Sequence, residues 1–130
     1  MIYLDSCIVI YLVEEHPAYA PLLEAALVEG ETYSISPLVE MECLVLPLRN
    51  QRNDLLAKFQ KFFSTQRQLE LPNAVFHAAA EFRARHGLKT PDALHLATAR
   101  HHQCTALWTN DDRLKVVAGT LAVNVLTRAT

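Results

Sequence analysis

Long apolar runs are missing from this 130-residue chain. The longest, such as residues 7–13, fall far short of a bilayer span, so no membrane segment is expected. A basic start leading into an apolar core and a small-residue cleavage site is missing too, because Asp5 interrupts at once. Cysteine is sparse: Cys7, Cys43 and Cys104 form no CxxC pair and their number is odd, which argues for a reducing, cytoplasmic setting. Positive charge is not in excess either. Twelve Lys and Arg stand against 14 Asp and Glu, for a net charge of −2, so no global basic field advertises nucleic-acid binding. A local patch or a bound metal can still supply positive charge. There is no repeat, low-complexity tract or linker, and residues 1–130 are expected to form a single domain.

The chain does have apolar content: 51% hydrophobic against 20% charged residues, the balance of a globular protein long enough to bury a core. Residues 1–4 form a short apolar run ending in Asp5, as expected of a buried parallel strand. A helix is expected over 8–13 and another over about 17–28, with Gly30 as its stop. Residues 32–35 read as a second strand. Ser36-Pro37 has N-cap and first-turn character and opens an apolar helix ending near Pro47. After a polar connection at 49–54, the spacing predicts a helix over 55–63, a weak strand at 68–71 and a helix over 73–86 stopped by Gly87. The stretch TPDALHLATA, 90–99, opens the next helix, with Thr90 as N-cap, Pro91 first and Asp92 second. A strand at 105–108 runs into TND, a short helix covers 112–117, and a last strand covers 122–126. Strands alternating with helices predict an α/β fold with a mostly parallel sheet covered on both faces.

In such folds the site lies beyond the carboxyl ends of the strands. That rule selects Asp5 and Asp111. Asp92, at a helix start, shares a side with Leu96 and Ala99, so its carboxylate points with the apolar face and asks for company. Glu40 and Glu42 lie about 200° apart around their helix, so only one can join; the helix is apolar nearly all round, and Glu42 is favoured. Carboxylates ~4 Å apart at an effective dielectric of ~20 repel by about 4 kcal/mol per pair. A fold tolerates that if the acids protonate or a divalent cation neutralises them. Oxygen ligands with no neighbouring His or Cys favour a hard ion, Mg²⁺ or Mn²⁺, which suits in-line displacement at phosphorus. Each acid also has a bland reading. Asp92 gains from the helix dipole alone, Asp5 can cap the following helix, and TND is an ordinary turn signal. The joint placement is harder to dismiss than any one position.

Four blocks, MIYLDSCIVIYL, ISPLVEMECLV, TPDALHLATA and LWTNDDRL, resemble in content and order the signature blocks of PIN-domain ribonucleases, most of all the VapC-type toxins of toxin–antitoxin pairs. They run from the first residues to about Leu114. The resemblance implies a three-layer α/β/α sandwich, an acidic site for Mg²⁺ or Mn²⁺, and endonucleolytic cleavage of RNA. Carried over block by block, the catalytic and metal-site acids are Asp5, Glu42, Asp92 and Asp111, with Ser6 and Thr109 as hydroxyls supporting them. It also implies a cognate antitoxin in a groove among the early helices, and a homodimer. Two features depart from the pattern. Glu40 is an extra acid in the second block, and Asp112 doubles Asp111, so the fourth ligand could be shared or shifted.

Other residues have plainer readings. His95, three after Asp92, could neighbour the site, but a packed or solvent-tipped ring is the better expectation. His101, His102 and Cys104 are too tightly clustered for a zinc site. Cys7 and Cys43 lie beside site acids, which raise a thiol pKa and disfavour a nucleophile. Arg49, Arg52, Lys58, Lys61, Arg113 and Lys115 could contact phosphate, although any one is more often a solvated charge. Phe59, Phe62 and Phe63 read mostly as core, part of which could serve a partner. Rival readings are a PIN nuclease of RNA processing without an antitoxin, and a non-catalytic metal- or RNA-binding module. An aspartyl-phosphate phosphatase would want an Asp where Cys7 stands.

Overall fold

The computed structural model describes residues 1–127. Five parallel strands form one sheet in the order β3-β2-β1-β4-β5: β1 (Ile2–Leu4), β2 (Tyr33–Ile35), β3 (Arg67–Gln68), β4 (Ala106–Trp108) and β5 (Ala122–Val123). Between β1 and β2 run α1 (Ser6–Val13) and α2 (Tyr19–Ala26), and between β2 and β3 run α3 (Pro37–Arg49) and α4 (Asn53–Ser64). The chain then crosses back through α5 (Asn73–His86) and α6 (Thr90–His101) to β4, and α7 (Asp112–Ala118) leads to β5. Parallel crossovers are right-handed. Connections stepping outward from β1 to β3 therefore cover one face, and those stepping the other way, from β3 to β4 and β5, cover the opposite one. Packing agrees: α1 contacts α2, α3 and α4, whereas α6 contacts α5 and α7. This is the α/β sandwich with a parallel sheet that the sequence predicts.

The strands are short; β3 is an exposed edge, whereas Tyr3 and Leu4 of β1, Ile35 of β2 and Leu107 of β4 lie in the core with Ile8, Val9, Leu23, Val39, Phe59, Leu96 and Leu114. No helix among the described residues is long and apolar enough to cross a membrane.

Several boundaries differ from expectation, each for a local reason. Helix α2 starts at Tyr19 and ends at Ala26, not 17–28. His16 Nδ1 accepts from the backbone N–H groups of Ala18 and Tyr19 and so sets its start, while Gly30, at φ +86°, lies in a turn beyond its end. Pro47 does not end α3, which continues to Arg49, because near a helix C-terminus a proline removes only one backbone bond. Strand β3 lies at Arg67–Gln68 rather than 68–71: Leu69 donates one more bond to Ile35, and Pro72 then cannot extend the ladder. The last strand stops at Val123, because the Asn124 carboxamide accepts from the Leu126 N–H and turns the chain into a 3₁₀ segment.

Candidate active site

Strand order reverses beside β1, whose neighbours are β2 and β4, and the crevice beyond their carboxyl ends is where an open α/β sheet places its site. The register pairs Leu4 with Trp108, and Asp5 N–H donates to the Trp108 carbonyl at 3.0 Å, so the two strands run out level. Asp5 therefore lies beside Thr109, whose hydroxyl donates to Asp5 Oδ2 at 2.8 Å. The same hydroxyl accepts from the Asp111 N–H at 3.1 Å, which fixes the turn carrying Asp111.

Asp5 and Asp111 line an open cup of about 520 Å³ together with Glu42 of α3, Asp92 of α6 and Asp112, which opens α7, with Thr109 buried behind them. All four acids expected at the site, Asp5, Glu42, Asp92 and Asp111, thus face one cavity. Ser6, Cys7, Tyr11, Asn110 and Arg113 complete its lining. Glu40 points elsewhere, into a cleft with Gln60, Phe63, Ser64, Gln66 and Gln68, and burial raises its pKa. Ser36 supplies the α3 cap as expected, its hydroxyl accepting from the Val39 N–H.

Capping and site membership coexist. Asp5 caps α1, its Oδ1 accepting from Ser6 N–H at 2.7 Å, and Ser6 Oγ lies 3.4 Å from the same oxygen. Asp111 caps α7 by accepting from Arg113 N–H at 2.9 Å. Asp92 departs from expectation. Thr90 is not the N-cap of α6 but its first residue; Lys89 precedes it and caps with its carbonyl alone, which accepts from Ala93 N–H. Nor does the helix dipole decide the charge of Asp92: burial first, then the charges of Asp111 and Asp5, push its carboxyl above the ordinary range.

The expectation of a site with no neighbouring His or Cys is corrected. His95 lies directly beneath the cup, 1% exposed, with Nε2 at 2.5 Å from Glu42 Oε1 and 3.5 Å from Asp5 Oδ1. One ligand atom from each of Asp5, Glu42 and His95 falls within 4.8 Å of the others. Its other nitrogen, Nδ1, meets the hydroxyl of buried Tyr3 at 2.7 Å. Burial alone would lower the imidazole pKa, but the Glu42 hydrogen bond and the charges of Asp5, Glu42 and Asp92 hold it above its ordinary value. The helix 93–99 is buried all round, so an ionisable ring in that run was the available signal. Cys7 also borders the cup. Burial, reinforced by Asp5, pushes its thiol up to about 12, and burial likewise raises that of Cys43, so both remain protonated thiols.

The donor set fits a hard divalent cation. Carboxylate oxygens converge on the cup, the His95 nitrogens are already engaged and no thiolate competes; the pKa of Asp92, raised by burial and then by the charges of Asp111 and Asp5, includes repulsion that a cation would relieve. The other clusters are structural. His102 Nε2 pairs with the Glu70 carbonyl and Cys104 is buried. Arg52 pairs with Asp54 at the surface, whereas Lys58 and Lys61 border a groove with Leu12, Val13, Glu15, Phe62 and Thr65. Phe59 and Phe63 are core, and Phe62 is the member of that trio facing the groove.

Residues 2–120 match the PIN domain family. The fold is similar to that of a toxin–antitoxin complex from Klebsiella pneumoniae (TM-score 0.77, 22% identity, 96% of this chain and 98% of that one). It is similar to VapBC2 from Rickettsia felis, bound to a DNA fragment from their promoter (0.78, 22%, 95% and 98%). Mycobacterium tuberculosis VapC20, a sarcin–ricin loop cleaving toxin, is similar at 0.79, 17% identity, 95% and 99%. A search of curated protein sequences gave no match.

Proposed function

The chain belongs to the PIN domain family, and on that premise we propose that residues 1–130 work as one metal-dependent endoribonuclease domain, the toxin of a toxin–antitoxin pair. The observation that carries this reading is the convergence of Asp5, Glu42, Asp92 and Asp111, from four separate segments, on a single cup. Those four carboxylates would hold Mg²⁺ or Mn²⁺, with Asp112 placed to share the fourth position. When bound, the ion supplies charge neutralisation and water activation for displacement at phosphorus.

The chain's own residues prepare that chemistry. Thr109 and Ser6 donate to Asp5 and orient it, and Thr109 also anchors the turn bearing Asp111. Arg113 borders both the cup and a neighbouring cavity lined by Lys89, His86 and Leu88, so Arg113 and Lys89 set positive charge beside an acidic site for an incoming phosphodiester backbone. No side-chain nucleophile is required, consistent with a Cys7 thiol that stays protonated. The solved toxin–antitoxin complex of the same fold supports an antitoxin partner here, and a homodimer belongs to the same proposal.

The test is cleavage of RNA by purified protein with Mg²⁺ or Mn²⁺, beside EDTA controls and the Asp5→Asn and Asp92→Asn variants. Metal-dependent cleavage lost in both variants is the expected result. Equal cleavage by the variants, or none by any form with metal, rejects the proposal.

A further inference from the structure

His95 anchors a chain of hydrogen bonds that runs from the core to the cup. Ser36 Oγ lies 2.8 Å from Tyr3 Oη, Tyr3 Oη lies 2.7 Å from His95 Nδ1, and His95 Nε2 lies 2.5 Å from Glu42 Oε1. Tyr3, Ser36 and His95 are all buried, at 0%, 0% and 1% exposure, while the Glu42 side chain at the end of the chain is 25% exposed and lines the cup. A carboxylate can only accept, so Nε2 carries a proton and donates to Glu42 whether the ring is neutral or charged. In the neutral ring, Tyr3 donates to Nδ1 and accepts a hydrogen bond from the Ser36 hydroxyl; in the charged ring, Nδ1 donates to Tyr3, which donates to Ser36. Either direction leaves no buried side-chain polar atom without a partner among the described residues.

Both ring nitrogens are therefore engaged below the cup, and Glu42 has one oxygen held and one to present. Ser36 gives the chain a further property, because it caps the helix that carries Glu42. The start of that helix and the tip of its acid are tied to one frame, formed by β1, α3 and α6.

We propose that His95 is a positioning residue for Glu42: its Nε2–H holds Oε1, so that Glu42 offers only Oε2 to a cation in the cup, and Tyr3 with Ser36 fixes the ring that does this. The inference rests on the metal-binding reading given above. An unanchored glutamate would have to give up rotamer freedom on each binding event, whereas this one is already ordered. Hydrogen-bond partners of metal ligands typically change metal affinity by roughly 10–100-fold when removed.

The experiment is calorimetric titration of the EDTA-stripped full chain with MnCl₂, for wild type, His95→Ala, His95→Gln and Tyr3→Phe, together with melting in EDTA and nitrogen-correlated imidazole NMR. His95→Ala is expected to weaken Mn²⁺ binding by about 10–100-fold. His95→Gln, whose carboxamide keeps an N–H near the Nε2 position, should recover most of that loss, with Tyr3→Phe between the two. The metal-free wild type should give a protected His95 Nε2–H signal that Glu42→Ala removes. Wild-type affinity in His95→Ala, or a Gln variant that folds yet binds no better than Ala, overturns the inference alone. Should His95→Ala fail to fold, the Gln and Phe variants and the NMR signal decide, and absence of that signal overturns it. No Mn²⁺ binding by the wild type overturns the metal reading and this inference with it.

Discussion

Asp92→Asn should make the metal-free protein more stable while abolishing its response to metal. Asp92 is half-buried, faces the charges of Asp5 and Asp111, and has its pKa raised by burial and by both of them. Two unit charges ~6 Å apart at an effective dielectric of ~20 repel by about 3 kcal/mol. Partial exposure and salt screening reduce this to roughly 1–2 kcal/mol, and losing the favourable charge at the α6 N-terminus subtracts ~0.5 kcal/mol. A net gain of about 1 kcal/mol corresponds to roughly 4 °C in Tm for a domain of this size. The sign with pH follows from the direction of the shift. A carboxyl whose folded pKa is raised stabilises fully below its unfolded pKa, and that contribution is lost as pH rises through the folded value. The gain of the Asn variant should therefore be present at pH 7.5 and close as the pH falls to the unfolded carboxylate pKa. The assay is thermal unfolding in EDTA at several pH values, repeated with Mn²⁺. With metal the order should reverse, because an ion at 100 times its Kd adds about 2.7 kcal/mol to wild type alone. An Asn variant less stable than wild type in EDTA at pH 7.5 would refute the view that these acids repel one another across the cup.

Thr109→Val removes a hydroxyl that donates to Asp5 at 2.8 Å and accepts from Asp111 N–H at 3.1 Å, and should destabilise the chain by about 2–3 kcal/mol in urea unfolding. Thr98→Val is the matched control, since the Thr98 hydroxyl only supplements a helical bond at the Leu94 carbonyl, and should cost under ~1 kcal/mol; equal effects would count against a special role for Thr109. Arg113→Ala and Lys89→Ala should raise KM for RNA with kcat little changed, and each should lower the salt dependence of binding by about one counterion. A fall in kcat alone would place Arg113 in the chemistry instead. Cys7, with its thiol at about 12, should react with iodoacetamide at pH 7.5 on the order of a thousandfold more slowly than a free cysteine, as read by mass spectrometry. Labelling at the free-thiol rate would mean that Cys7 is not buried beside Asp5 as described.

What was legible in the sequence was what local chemistry controls. Ser36 caps α3 by the side-chain bond that a Ser-Pro opening implies, and Gly87 ends α5 in the left-handed conformation that few other residues adopt readily. Asp5 and Asp111 follow their strands as the crevice rule requires, and Glu42 rather than Glu40 turns toward the cup. What escaped was set by partners remote in sequence. His95 stands three residues after Asp92, yet the bonds that define it reach Tyr3, 92 residues away, and Glu42, 53 away. Periodicity could not place the ring on a face, because every residue of 93–99 is buried. Thr90 carries the chemistry of a cap, but α6 begins one residue earlier on the Lys89 carbonyl, a boundary no side chain marks.

The bland and functional readings of the acids are complementary, not competing. Asp5 and Asp111 each accept a backbone N–H at the start of a helix, and Asp5 takes Thr109 as well. Hydrogen bonds to the ionised form favour it, so capping supplies part of the stabilisation that a cluster of like charges needs before any cation arrives. Glu42 has no helix start to accept from and takes His95 instead. Asp92 sits in the first turn of α6 without side-chain capping there, and burial, with the charges of Asp111 and Asp5, pushes its carboxyl upward in pKa. The three acids with donors are fixed in place, whereas Asp92 meets burial and the charges of Asp111 and Asp5 without a capping donor. A divalent ion would offset that repulsion at Asp92, so substitution of Asp92 is expected to separate stability from metal binding.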